Sequence, residues 1–300
     1  MENLLQQLVN GIAWGSIYAL VALGYTMVYG VLRLINFAHG EVYMVGAMTG
    51  FYAAHALGVA DRPSALGLAA TLLAAMATCA ALGATIERVA YRPLRRAPRL
   101  APLITAIGVS LLLQNAGQLV LGADPKFFPP LVASREAWRV GSLAVSNIQL
   151  TVMATAVVLM AGLELVVMRT RVGRAMRAVA QDADAAALMG VPVDRIIQLT
   201  FVLGSALAGA AGILVGLSNP KIDPLMGLMP GLKAFVAAVL GGIGSIPGAM
   251  VGGLLLGVVE TLVAGYLSST YRDAIAFVIL IAILLYRPTG LFGSAQAEKV

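Results

Sequence analysis

The chain is poor in what a water-exposed protein needs. Charged residues make up 11% of its 300 positions, against about 25% in soluble domains, too few to cover a surface in water. Cys79 is the single cysteine and falls inside an apolar run, which excludes disulfides and cysteine-built zinc sites. His39 and His55 are the only histidines, and no H-E-x-x-H motif exists, so no metal site is expected. There is no Gly-Lys pair, hence no G-x-x-x-x-G-K-[ST] phosphate loop, and no G-x-G-x-x-G in a strand-turn-helix setting. No catalytic residue and no cofactor of its own are expected. If work here is driven by ATP and Mg, partner ATPase chains must bind them. Alternating ten-residue segments are also absent, which excludes a β-barrel.

What is present is apolar sequence: 60% of residues are hydrophobic and the mean hydropathy is +0.90. Runs near 20 residues recur, each able to cross a hydrocarbon core of about 30 Å. The fold class is an all-α polytopic membrane protein with 8–9 transmembrane helices. Spans are expected near 8–32, 42–60, 64–86, 102–121, 149–168, 196–216, 228–246, 248–266 and 273–287 of one transmembrane domain, 1–300. Gly241, Gly242, Gly244 and Pro247 interrupt the seventh and eighth, leaving either two spans or a re-entrant half-helix plus one. Met1-Glu2-Asn3 has no positive n-region, so the N-terminus is expected to be the retained start of the first span.

Charge sets the orientation. Arg88, Arg92, Arg95, Arg96 and Arg99 fall in one connection and Arg169, Arg171, Arg174, Arg177 and Arg195 in another; with Arg33, Arg287 and Lys299 they put 13 of the 20 basic residues on one side. That side is expected to be cytoplasmic, with the C-terminus there and the N-terminus outside. The other side takes Arg62, Lys126, Arg135, Arg139, Lys221, Lys233 and Arg272, with the 122–148 loop. This bias accounts for the net charge of +6 without nucleic acid.

Small residues recur at every fourth position: Gly204, Ala208, Gly212 and Gly216; Gly244, Gly248 and Gly252, with Gly253 and Gly257 beside them; and Gly11, Gly15 and Ala19. In lipid, close backbone approach supplies the association energy. These ladders pack either within this chain or along a seam with a second membrane subunit. Gly-broken regions near 36–46 and 241–248 hint at an internal repeat of the transporter kind.

Polar groups at membrane depth are candidates for a pathway or gate: Asn36, His39 and Glu41 in the first break, and Gln114, Asn115 and Gln118 on the fourth span. Asn36 suits a helix end, Gly40 a tight turn, and Glu41 a helix first turn. The alternatives are a plain helix-helix turn for the first group and interhelical hydrogen bonds for the second. Glu164 and Glu260 fall near span ends without an evident in-span basic partner, which argues against a proton relay of charged pairs.

The most polar internal stretch is Arg171 to Pro192. Val172 to Ala180 suits a short helix with Arg171, Arg174 and Arg177 on one stripe. Asp182 suits the cap of a second, from Ala183 to Met189, closed by Gly190 and Pro192. Within it Asp184, Ala185, Ala186 and Gly190 form an acid-Ala-Ala-x-x-x-Gly pattern. The 169–195 loop reads as a cytoplasmic coupling surface for a partner groove; the alternative is a helix lying on anionic lipid.

Gly24-Tyr25 through the Asn36-Phe37-Ala38-His39-Gly40-Glu41 block, Arg174-x-x-Arg177-Ala178, Asp184 to Gly190, the 231–260 block and Arg287-Pro288-x-Gly290-Leu291-Phe292 resemble the LivH-type permeases of branched-chain amino acid ABC importers, over almost the full length. The resemblance implies a machine of two permeases (the second LivM-like), two ABC ATPases (LivG/LivF-like) and a periplasmic substrate-binding protein, in the bacterial inner membrane. It implies that the acid-Ala-Ala-x-x-x-Gly loop docks on the ATPase, with Asp184 where the general motif has Glu. ATPase coupling then falls to Arg174, Arg177, Asp182, Asp184, Ala185, Ala186 and Gly190. Import of leucine, isoleucine and valine leads; urea, short amides, simple sugars or other amino acids are alternative cargoes of the same machine, and a secondary transporter, channel or scaffold belongs to another class.

Overall fold

The computed structural model describes residues 2–95, 97–98, 100–140 and 143–293. Met1, Arg96, Arg99 and Lys299, used above for the terminus and the charge bias, lie outside the described residues. Helices dominate: α1 (Glu2–Leu32), α2 (His39–Ala56), α3 (Ala65–Ile86), α4 (Leu100–Leu121), α5 (Asn147–Arg169), α6 (Arg171–Gln181), α7 (Ala183–Leu188), α8 (Val193–Ser218), α9 (Leu228–Gly241), α10 (Ile246–Tyr266) and α11 (Arg272–Tyr286). Among the described residues, seven helices are long and apolar enough to cross a membrane; α9 is shorter, and α2 is not among the seven. At 14 residues, α9 spans ~21 Å against a core of about 30 Å. The Gly-broken region is a short helix, α9, followed across a glycine turn by the longer α10.

Local chemistry explains the boundaries. The Ser64 side chain accepts the Gly67 N–H at the start of α3. Ser146 and Gln149 form a capping box on α5. The Ser245 hydroxyl accepts the Gly248 N–H on α10, with Pro247 in its first turn, where a missing N–H costs nothing.

α1 and α8 are buried at the centre, and α4 and α11 lie at the rim. The packing pairs α1 with α10 as it pairs α8 with α3, α1 with α9 as α8 with α2, and α9 with α10 as α2 with α3; α1 also meets α8, and α2 meets α9. The four helices α1–α4 are thus matched by α8–α11. The breaks that correspond are the 33–38 and 219–227 connections, which precede α2 and α9, not 36–46 and 241–248.

The small-residue ladders make these contacts inside the chain. A side chain at Gly15 would meet Leu254 and one at Gly257 would meet Gly15, so two ladders close on each other at α1–α10. Gly248 and Gly252 lie against Gly241 and Ala237 of α9. Gly204 meets Gly24, and a Cβ on Gly212 would come within 2.4 Å of the Tyr43 carbonyl oxygen. Gly244 is no rung: it sits in the α9–α10 turn at φ +96°, where glycine is needed.

The 122–148 loop carries structure not expected from its sequence. β1 (Lys126–Phe127) pairs with β4 (Lys221–Ile222), and β2 (Glu136–Val140) with β3 (Leu143–Ser146), both antiparallel. This delivers Phe128 into the bundle against Gly50 and Gly216.

Gly212 and Gly108 form a matched test. Both lie in long helices, so alanine raises helix propensity equally, yet no atom lies within 4 Å of a Cβ on Gly108. Gly212→Ala is expected to lower the melting temperature of the detergent-solubilised protein by roughly 5 °C relative to Gly108→Ala, read by fluorescence-detected thermal unfolding.

Candidate functional site

Two helices, α2 and α9, start from the middle of the bundle. His39, at the start of α2, and Gly204, midway along α8, both lie against Gly24 of α1. The start of α9 reaches the same place: a Cβ on Gly40 would come within 2.5 Å of the Gly227 oxygen and 3.0 Å of the Gly231 Cα. Gly40 therefore lies in the first turn of a helix, where its missing side chain lets two backbones touch.

Around this contact lies a pocket of about 270 Å³. Tyr25, Phe37, Ile107, Leu111, Leu228 and Leu232 give it apolar walls. Its polar groups are Glu41, Ser110 and Gln114. Glu41 is buried in the first turn of α2. Its Oε1 accepts from Gln114 Nε2 at 2.7 Å and from Ser110 Oγ at 3.3 Å, while its Oε2 has no protein partner.

The other pathway candidates separate. Asn36 does not cap α2; Ala38 precedes that helix, and the Asn36 amide oxygen accepts from the buried Tyr91 hydroxyl at 3.1 Å. His39 is buried against Tyr25, ring centroids 4.8 Å apart, and its Nε2 lacks a partner. Asn115 is exposed and donates to the Leu111 carbonyl of its own helix at 2.7 Å, so it leaves the Gln114 side of α4. Gln118 is half-buried one turn further on. Interhelical bonding holds for Gln114 and not for Asn115.

A buried charge network lies elsewhere, contrary to the expectation from sequence. Glu260 is fully enclosed and has basic partners: Lys233 Nζ at 3.0 Å and Arg272 Nε at 3.2 Å. The Tyr18 hydroxyl donates to it at 2.9 Å. Lys233 also meets Asp273 at 2.6 Å. Lys233 is thus not a surface charge, and the shortage of in-span charged pairs no longer counts against a proton relay. The pairing was missed because Lys233 and Glu260 come together only through the short α9 and its turn into α10. Glu164, by contrast, is exposed on the last turns of α5.

At the basic end the loop forms two helices. The Thr170 hydroxyl accepts the Gly173 N–H to begin α6; Gly173, Met176 and Val179 face inward while Arg171, Arg174 and Arg177 are exposed. A side chain at Gly173 would come within 2.1 Å of the Val167 oxygen, and Arg177 also donates to that carbonyl. The Asp182 carboxylate accepts the Ala185 N–H at 2.9 Å to cap α7. Gly190 ends it at φ +82°, with the Val191 N–H donating to the Ala186 oxygen at 3.0 Å. Ala186 is the residue of α7 that is buried; Asp184 and Ala185 are exposed. Leu188 and Met189 are 89% and 84% exposed, an apolar pair facing outward. Nearby, Arg95 bridges the buried Glu87 and Asp194 at the start of α8, joining the two basic connections.

A family model described as "Branched-chain amino acid transport system / permease component" matches residues 7–284. The chain is 48% identical over 300 residues to the "High-affinity branched-chain amino acid transport system permease protein BraD" of Pseudomonas aeruginosa, covering 99% of this chain and 98% of that one. It is 46% identical over 302 residues to the LivH protein of that system in Escherichia coli K12, covering 99% and 97%. A probable LivH of Methanocaldococcus jannaschii is 28% identical over 307 residues, covering 95% and 91%.

The ionic network makes a double-mutant test. Lys233→Met leaves Glu260 buried beside only a partly exposed Arg272 and is expected to cost about 3 kcal/mol or more. Adding Glu260→Met removes the stranded charge and is expected to restore most of the loss in thermal unfolding, since Arg272 and Asp273 both reach solvent.

Proposed function

The chain belongs to the branched-chain amino acid transport permease family, and from that premise we propose that it is the membrane-spanning subunit of an ATP-driven importer, moving leucine, isoleucine and valine. The carrying observation is similarity over 99% of the chain to the permease of a high-affinity branched-chain amino acid transport system. The machine requires ATPase subunits (LivG/LivF-like) to hold ATP and Mg, a second permease (LivM-like) and a periplasmic binding protein. The chain is set in the bacterial inner membrane with its basic end in the cytoplasm. The N-terminus lies outside and the C-terminus inside.

Coupling runs through α6 and α7. The exposed Leu188–Met189 pair at the end of α7 is the apolar anchor for an ATPase groove, and Arg174 and Arg177 flank it. α6 is clamped to the end of α5 and packs on α1 and α8, so a push on α7 moves these helices as a unit. α8 carries Gly204 against Gly24, and Gly24 lies against His39. Displacing α8 therefore acts on the start of α2, where the pathway candidates Glu41 and Gln114 meet. ATP binding favours one arrangement of this junction over the other only by the difference in ATPase contact free energy between them.

A secondary transporter remains the second reading, favoured by the Lys233–Glu260 pair. It is separated by energy source: uptake driven by ATP survives an uncoupler while ATP is held constant.

Leu188→Asp tests the coupling role without touching the core. It is expected to cut uptake by roughly thirtyfold, the effect of an interface residue worth about 2 kcal/mol, with normal amounts of permease in the membrane. Uptake at the wild-type rate excludes docking through α7.

A further inference from the structure

We infer that the pocket where α2 and α9 begin is a binding site for a zwitterionic amino acid inside the permease, with Glu41 receiving the ammonium group. The inference rests on the import reading and adds the place where cargo pauses.

The geometry supplies one partner for each part of such a ligand. Glu41 is only 1% exposed and its two oxygens are used unequally. Gln114 and Ser110 occupy Oε1, whereas Oε2 has no partner and lies beside Gly227, whose Cβ would stand 2.8 Å from it. An enclosed carboxylate oxygen with no donor is costly. An ammonium entering the pocket supplies the missing charged donor.

The carboxylate of the same ligand finds positive potential close beside Glu41, since the first turn of α2 holds Glu41 and Gly227 begins α9. α2 and α9 both begin at this pocket, and neither N-terminus is capped by a side chain. The positive ends of two helices of 18 and 14 residues thus converge where an anionic group would lie, as at the broken helices of transporters.

The remaining wall is apolar. Phe37, Ile107, Leu111, Leu228 and Leu232 line the rest of the space, which suits a branched aliphatic side chain. Gly40, Gly227 and Gly231 keep the two helix starts close enough to face one ligand, since a Cβ at any of them would meet the opposite backbone.

The test uses the complete importer, solubilised and purified, labelled with photo-leucine, which keeps both charged groups, and mapped by peptide sequencing. Label is expected on the segments holding Leu111 and Leu232. L-leucine is expected to compete, whereas 4-methylpentanoate, without the amine, and leucinamide, without the carboxylate, are not. Glu41→Gln is expected to reduce labelling by at least about tenfold. Leu232→Trp, which fills the apolar half and leaves Glu41 intact, is expected to abolish it while the complex still elutes as one species. Label elsewhere, undiminished label in Glu41→Gln, or competition by 4-methylpentanoate equal to that by leucine overturns the site. Wild-type importer in proteoliposomes separates the two claims: ATP-driven leucine uptake without label in the pocket defeats the site alone, and no ATP-driven uptake defeats the import reading.

Discussion

The backbone contact between Gly40 and the Gly227–Gly231 turn is the constraint on which the architecture depends. In lipid, helices gain little from hiding apolar side chains from one another, so association relies on close packing. Irregular backbone at membrane depth survives only where protein or water surrounds it. The connections 33–38 and 219–227 are such backbone, and they lead into α2 and α9. Both conditions are met by bringing the two helix starts together at the centre and walling them with α1, α8 and α4. Any side chain at Gly40 would separate them, and the pocket with Glu41 would open.

The two ends of the chain's function follow from that arrangement. α8 touches α6 and α7 at one end and Gly24, near the central junction, at its middle, so in the proposed coupling it is the link between them. The Lys233–Glu260–Arg272 network ties α9, α10 and α11 toward the opposite end. Because its charges are buried, it resists partial opening: separating Lys233 from Glu260 strands a charge in a poor dielectric. α9 is thereby held to α10 while α2 is held to α8.

The helices of the 169–195 loop were largely legible from sequence because their signals are local. Asp182 as a cap, Gly190 as the stop and the three-residue spacing of Arg171, Arg174 and Arg177 each act within one or two turns. Residue composition was enough for membrane class and for the ladders, since Gly-x-x-x-Gly spacing directly reports a surface where backbones meet. What it could not reveal was partnership at a distance. Glu260 looked unpaired because Lys233 lies 27 residues earlier and meets it only once α9 is known to stop at Gly241. Asn36 looked like a cap because its neighbours suit one, yet Tyr91, far along the chain, takes its side chain. Gln114 and Asn115 are adjacent and chemically alike; a rotation of about 100° per residue sends one to Glu41 and the other outward.

The central claim is that the junction of α2 and α9 is a wet site on the transport path rather than a dry packing contact. Cysteine accessibility tests it most directly, in a Cys79→Ser background that removes the single native thiol. Ser110→Cys, facing the pocket, and Leu112→Cys, on the exposed outer side of α4, are compared within the assembled importer. A small membrane-impermeant methanethiosulfonate is predicted to modify Ser110→Cys, with L-leucine slowing the reaction, and to leave Leu112→Cys unmodified in lipid. Equal inertness of the two cysteines, even in the presence of ATP and binding protein, would contradict the account.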